Sequence, residues 1–134
     1  MDAYTAVLFY IVWMLVLTLI YAFPRVPLAL LGKKSIDSWE RGKENPDPMF
    51  MQRAKSAHMN CVENFPLFAG VVVVAGLLGQ IEVANAVAAF VLYARVAQSL
   101  IHISGTSFVQ VMARATFFLI QVVLIFYMAF SLIG

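Results

Sequence analysis

The sequence predicts an all-α integral membrane protein, a bundle of four transmembrane helices. Three observations carry that reading. The 134 residues are 63% hydrophobic and 12% charged, with a mean hydropathy of +0.88. Soluble domains average about 45–50% apolar and about 25% charged, so a bilayer must solvate most of this chain. The apolar residues also fall into four runs, each long enough to cross a hydrocarbon core of roughly 30 Å. Finally, the polar residues gather in one loop and in the ends of the runs nearest to it. Residues 1–134 read as a single domain.

The first span is expected at about residues 4–23. It lacks the basic leader and small-residue cleavage site of a signal peptide. Pro24 and Pro27 mark its end or a kink, because proline cannot donate the amide that continues a helix. A polar loop, about 24–48, follows and closes on the turn signal Asn45-Pro46-Asp47-Pro48. The second span, about 49–79, starts polar and turns apolar near Pro66. The third (about 82–103) and fourth (about 108–133) are separated from their predecessors only by Gly79-Gln80 and by Ser104-Gly105-Thr106-Ser107. Connections so short imply antiparallel neighbours.

Charge sets the expected orientation. Seven of the nine basic residues lie between Arg25 and Lys55, and Arg95 and Arg114 flank the 104–107 turn on the same side. The other side carries no Lys or Arg. The positive-inside rule then places the 24–56 segment in the cytoplasm and both termini outside. The net charge of +2 does not imply nucleic acid, since no basic stripe with interleaved aromatics exists. Cys61 is the one cysteine, which excludes an intrachain disulfide, and no metal-ligand spacing occurs.

Ionisable residues inside a span are costly and therefore candidates for function. In the second span Arg53, Ala57, Asn60, Glu63 or Asn64, and Leu67 share a helical face, while His58 lies roughly 200° from Asn60. Glu63 falls about one turn inside the hydrocarbon. In the third span Arg95, Gln98, Ser99 and His102 share a face, with Arg95 roughly 12 Å from the helix end. Glu63 is the expected partner of Arg95, across the two helices. In the fourth span Arg114 stands with Phe118 and Gln121 on one side, either as a functional cation or snorkelling to the interface. Three polar faces at one height suit a small anionic molecule with a peptide backbone, held beside lipophilic neighbours.

The run Arg53-Ala54-Lys55-Ser56-Ala57-His58-Met59-Asn60-Cys61-Val62-Glu63-Asn64-Phe65-Pro66-Leu67-Phe68 resembles the second-helix signature of the MAPEG family, roughly R-x-x-R-A-x-x-N-x-x-E-x-x-P-x-F. That family comprises membrane-associated proteins in eicosanoid and glutathione metabolism. The run is similar to its microsomal glutathione transferase and leukotriene-C synthase branches. The stretch from Ala94 to His102, followed by Arg114, is similar to bacterial members. The resemblance implies a homotrimer in a bacterial inner membrane, with glutathione as co-substrate at subunit interfaces near the cytoplasmic face. It implies a glutathione transferase or glutathione-dependent peroxidase of detoxification type, acting on a lipophilic electrophile amid membrane lipid. By position it gives Arg114 the role of activating the thiol. Arg25, Arg53, Asn60, Glu63, Arg95 and His102 become the glutathione-binding set. Ser56 stands where many members have a second arginine, and Phe118 where some have a tyrosine. The family also includes non-catalytic lipid-binding or scaffold members, which is the alternative reading.

Overall fold

The computed structural model describes residues 1–32 and 48–134. The charged loop residues Lys33, Lys34, Arg41 and Lys43 lie outside the described residues, as does the Asn45–Asp47 part of the turn. Helix α1 spans Ala3–Tyr21, α2 Arg25–Leu30, α3 Met49–Leu77, α4 Ile81–Ser104 and α5 Phe108–Ile133. Four helical stretches, with α1 and α2 counted together, are long and apolar enough to cross a membrane.

Each boundary has a local cause. The Asp2 side chain accepts from the Thr5 amide at 2.7 Å and caps α1. After Tyr21 the chain bends, then α2 resumes at Arg25, so the expected loop begins with a helix. Pro24 supplies the φ that starts α2, and Pro27 sits in its first turn, where a missing amide costs no intrahelical bond. Pro66 lies inside α3 and leaves the Val62 carbonyl without its usual amide partner. Gly79, at φ +70°, ends α3 in a paired cap: Gly79 N–H donates to Gly76 O and Gln80 N–H to Ala75 O. Ser107 and Gln110 form a reciprocal capping box at the start of α5.

Helix α4 is the centre of the bundle and packs against α1, α3 and α5. Its buried side carries Ala84, Ala88, Val91, Arg95, Gln98, Ser99 and His102, a mixture of small and polar groups. Small residues let helices approach closely where no hydrophobic force drives them together. Ala3 N–H donates to Asn85 Oδ1 at 2.8 Å and ties the start of α1 to the start of α4. Tyr10 packs its ring between Phe65 and Phe68 of α3, with centroids 5.6 and 5.7 Å away. Helix α5 buries only Gln121 and Met128. Its remaining apolar surface, like Leu8, Leu15 and Leu19 of α1, faces outward.

Candidate anion site

At the end of the bundle that carries the 105–107 turn, polar side chains from α3, α4 and α5 converge. Arg53 donates from Nε to the Ile103 carbonyl at 2.8 Å, so it covers one of the open carbonyls at the end of α4. Asn60 Nδ2 lies 3.4 Å from His102 Nδ1. His102 is buried, and the charges of Arg114 and Arg53 both act on its ring. Arg114 comes from α5, half-buried, with a buried Nε that has no partner among the described residues. One turn further in, Gln121 Nε2 donates to Gln98 Oε1 at 2.8 Å and joins α5 to α4.

The four residues Arg53, Asn60, His102 and Arg114 thus come together as the sequence reading expects. Two permanent cations, an amide and an imidazole stand there, and among the described residues no carboxylate is paired with them. Guanidinium groups keep their proton, so the site holds positive charge that an anion would balance. Among the described residues no group of three or more His, Cys, Asp and Glu is placed to hold a metal ion.

Three expected members take other places. Glu63 is exposed on the outer side of α3, and no ion pair joins it to Arg95, so that expected pairing is corrected. The helical angle explains the difference. Asn60 to Glu63 is about 300°, which swings the carboxylate out of the α3–α4 contact. Arg95 is instead fully buried, with no partner for Nε and Nη2 among the described residues, and its charge acts on Tyr10 and Cys61. Arg25 sits on α2 with its guanidinium 5.3 Å from the Tyr21 ring centroid, and the Tyr21 hydroxyl lies 3.1 Å from His58 Nδ1. This chain of contacts belongs to the side of α3 facing away from Asn60.

Sequence reasoning missed Tyr10, Tyr21 and the contact of Cys61 with Ser99. The third-span pattern puts Ser99 on the right face, but nothing in the first span marks Tyr10 and Tyr21 as inward. The packing partner decides that, and α1 has almost no amphipathic signal of its own.

The model of the MAPEG family matches residues 3–134. No curated protein and no solved structure matches the chain. The family match covers essentially the whole chain, in agreement with four helices able to cross a membrane, and the chain is a multi-pass membrane protein that belongs to the MAPEG family.

Proposed function

We propose that this protein is a membrane-bound glutathione transferase that joins glutathione to a lipophilic electrophile. The observation that carries the reading is the convergence of Arg53, Asn60, His102 and Arg114, with no carboxylate paired to them among the described residues. The family includes glutathione transferases, related enzymes and non-catalytic members, so membership permits the activity and the site supports it. Glutathione is a small anion with two carboxylates, an amine and a thiol. Arg53 keeps donors beyond the one given to Ile103, and these would pair with a carboxylate. Asn60 and His102 would hydrogen-bond the peptide backbone. Only the thiolate attacks well, and the Arg114 charge favours it over the thiol. The thiol proton leaves to water, and sulfur then displaces or adds at the electrophilic carbon. A hydroperoxide in place of the carbon electrophile turns the same thiolate to peroxidase chemistry.

The same reading places three copies together, with the site near their interfaces and the electrophile entering between the first and fourth spans of adjacent subunits. Glu63 and Asn64 support a protein neighbour there, because lipid cannot satisfy an exposed carboxylate within a span. Glu63 and Arg25 then serve a ligand from the subunit boundary. The orientation follows the charge asymmetry: 24–56 cytoplasmic, both termini outside, in a bacterial inner membrane.

Isothermal titration of the purified protein with glutathione tests binding, and conjugation to a chloronitrobenzene tests catalysis. Saturable binding that Arg53→Leu weakens, together with conjugation above the uncatalysed rate, is expected. Binding without conjugation would favour the non-catalytic lipid-binding or scaffold reading, and no binding would remove glutathione altogether.

A further inference from the structure

Helix α5 carries Arg114 yet buries little of itself: of its 26 residues only Gln121 and Met128 are buried. Arg114, Gln121 and Met128 recur at a spacing close to two helical turns and so lie along one seam. The outward side faces lipid, which solvates an apolar side chain as well as a neighbouring helix does. Apolar contact therefore gives α5 little preference for one rotation about its axis, whereas a directional bond does. Among the described residues two side-chain hydrogen bonds join α5 to α4. Gln110 Nε2 donates to Ser104 Oγ at 2.8 Å, and Gln121 Nε2 donates to Gln98 Oε1 at 2.8 Å. Arg114 lies between them in the chain. The Gln110 bond is exposed at the turn, where water competes for it, and the Gln121 bond is buried.

The Gln121 amide is held from two sides. Its nitrogen gives one hydrogen to Gln98 Oε1 and the other to the Phe117 carbonyl at 3.0 Å, one turn back on its own helix. The reverse orientation would set the amide oxygen against two acceptors, so the direction of the bond is fixed. Gln98 stands one turn before His102, on the same face of α4. The bond thus ties the face that presents His102 to the seam that presents Arg114. Gln121 is 1% exposed and Gln98 5%, so the pair acts on the site through its helices. The leverage is large. A rotation of about 20° moves a side-chain tip about 6 Å from the helix axis by roughly 2 Å. Displacements of that size matter for a charge aimed at one reacting atom.

We infer that Gln121, through its hydrogen bond to Gln98, is a positioning residue that sets the rotation of α5 and so places Arg114 at the anion site. The placement of Arg114 needs no particular ligand; only its consequence for sulfur rests on the glutathione reading above. Leucine at position 121 keeps the burial and loses the bond. It also leaves Gln98 Oε1 as a buried acceptor without a partner, which lowers stability. Leucine at both positions removes that cost and still lacks the bond. Stability and position therefore separate. The Gln98→Leu/Gln121→Leu protein should recover the unfolding temperature and keep Arg114 displaced. A merely structural pair would give the opposite, a site restored together with stability.

The test uses the whole protein in lipid nanodiscs, labelled in its two histidines, first without glutathione. The His102 ring feels the Arg114 charge, and His58, beside Tyr21 on the other side of α3, serves as the internal reference. At one neutral pH, Arg114→Leu should move the His102 ring resonances. Gln121→Leu should move them in the same direction and leave His58 in place, and the double leucine protein should do the same should Gln121→Leu not fold. In an Arg114→Leu background neither change should move His102 further. His102 unmoved by Gln121→Leu, moved again on top of Arg114→Leu, indifferent to Arg114→Leu itself, or matched by an equal movement of His58 would each overturn the inference. In the second stage, conjugation of glutathione to a chloronitrobenzene should show kcat lower by roughly ten- to a hundredfold in Gln121→Leu at neutral pH. KM for glutathione should change far less, and the loss should shrink as pH rises and thiolate forms unaided. An equal loss at every pH would overturn the consequence for sulfur. A wild type that binds no glutathione would overturn the glutathione reading, and the first stage alone would then decide the placement of Arg114.

Discussion

Arg95 shows how far helical angle reaches at the scale of one residue. Its face, shared with Gln98, Ser99 and His102, was legible because a 3.6-residue period fixes which side chains point together. Its partner was not legible, since that depends on how α3 is rotated against α4. Glu63 was the one acid available in the neighbouring span, yet it points outward and Arg95 stands beside Tyr10 and Cys61 instead. The correction changes an expected energy. A buried ion pair would couple the two residues strongly, whereas separate environments make them independent. Glu63→Gln and Arg95→Met should therefore add in a thermal or denaturant unfolding cycle, to within about 0.3–0.5 kcal/mol. A larger coupling energy would put the two side chains back in contact.

At the scale of the element, the boundaries were the most readable feature, because glycine, proline and serine act locally. The fourth span was expected at 108–133 and is found there, behind the Ser107 capping box. The break after α1 was half legible: Pro24 marked it, but a helix resuming at Arg25 was not foreseen, since a proline in a first turn reads the same as one in a loop. Gly79 offers a direct check on a cap. Nothing lies within 4 Å of where its Cβ would be, so Gly79→Ala meets only the left-handed backbone penalty. A loss of about 1–2 kcal/mol in unfolding free energy is expected. At the same end of the bundle, the amide of Thr5 holds the Asp2 carboxyl below its ordinary value. A lowered folded-state value means the cap contributes fully above the free carboxyl's range and is lost as pH falls through the lowered value. Amide exchange in the first turn of α1 should accelerate on acidification through that range in the wild type and show no such step in Asp2→Asn.

For the whole molecule, composition fixed the solvent and the number of spans, and the family signature on α3 fixed the family. What one chain's sequence could not convey was which polar side chains face inward and which face outward. Arg53, Asn60, His102 and Arg114 meet inside the subunit. Glu63 remains on its outside, where the proposed trimer would cover it. Orientation is open to a separate check. A cysteine introduced between residues 33 and 47, in a Cys61→Ser background, should react with a membrane-impermeant maleimide only after the cytoplasmic side is exposed. Labelling from outside intact cells would reverse the assignment. Under the proposed function the cluster of Arg53, Asn60, His102 and Arg114 binds glutathione, and Arg114 holds its sulfur as thiolate. The most direct measurement is the ultraviolet thiolate band of protein-bound glutathione followed against pH in the wild type and in Arg114→Leu. Thiolate already present at neutral pH is expected in the wild type, with a titration moved upward by about 1–3 pH units in Arg114→Leu and glutathione still bound. Bound glutathione that titrates identically in both proteins would contradict it.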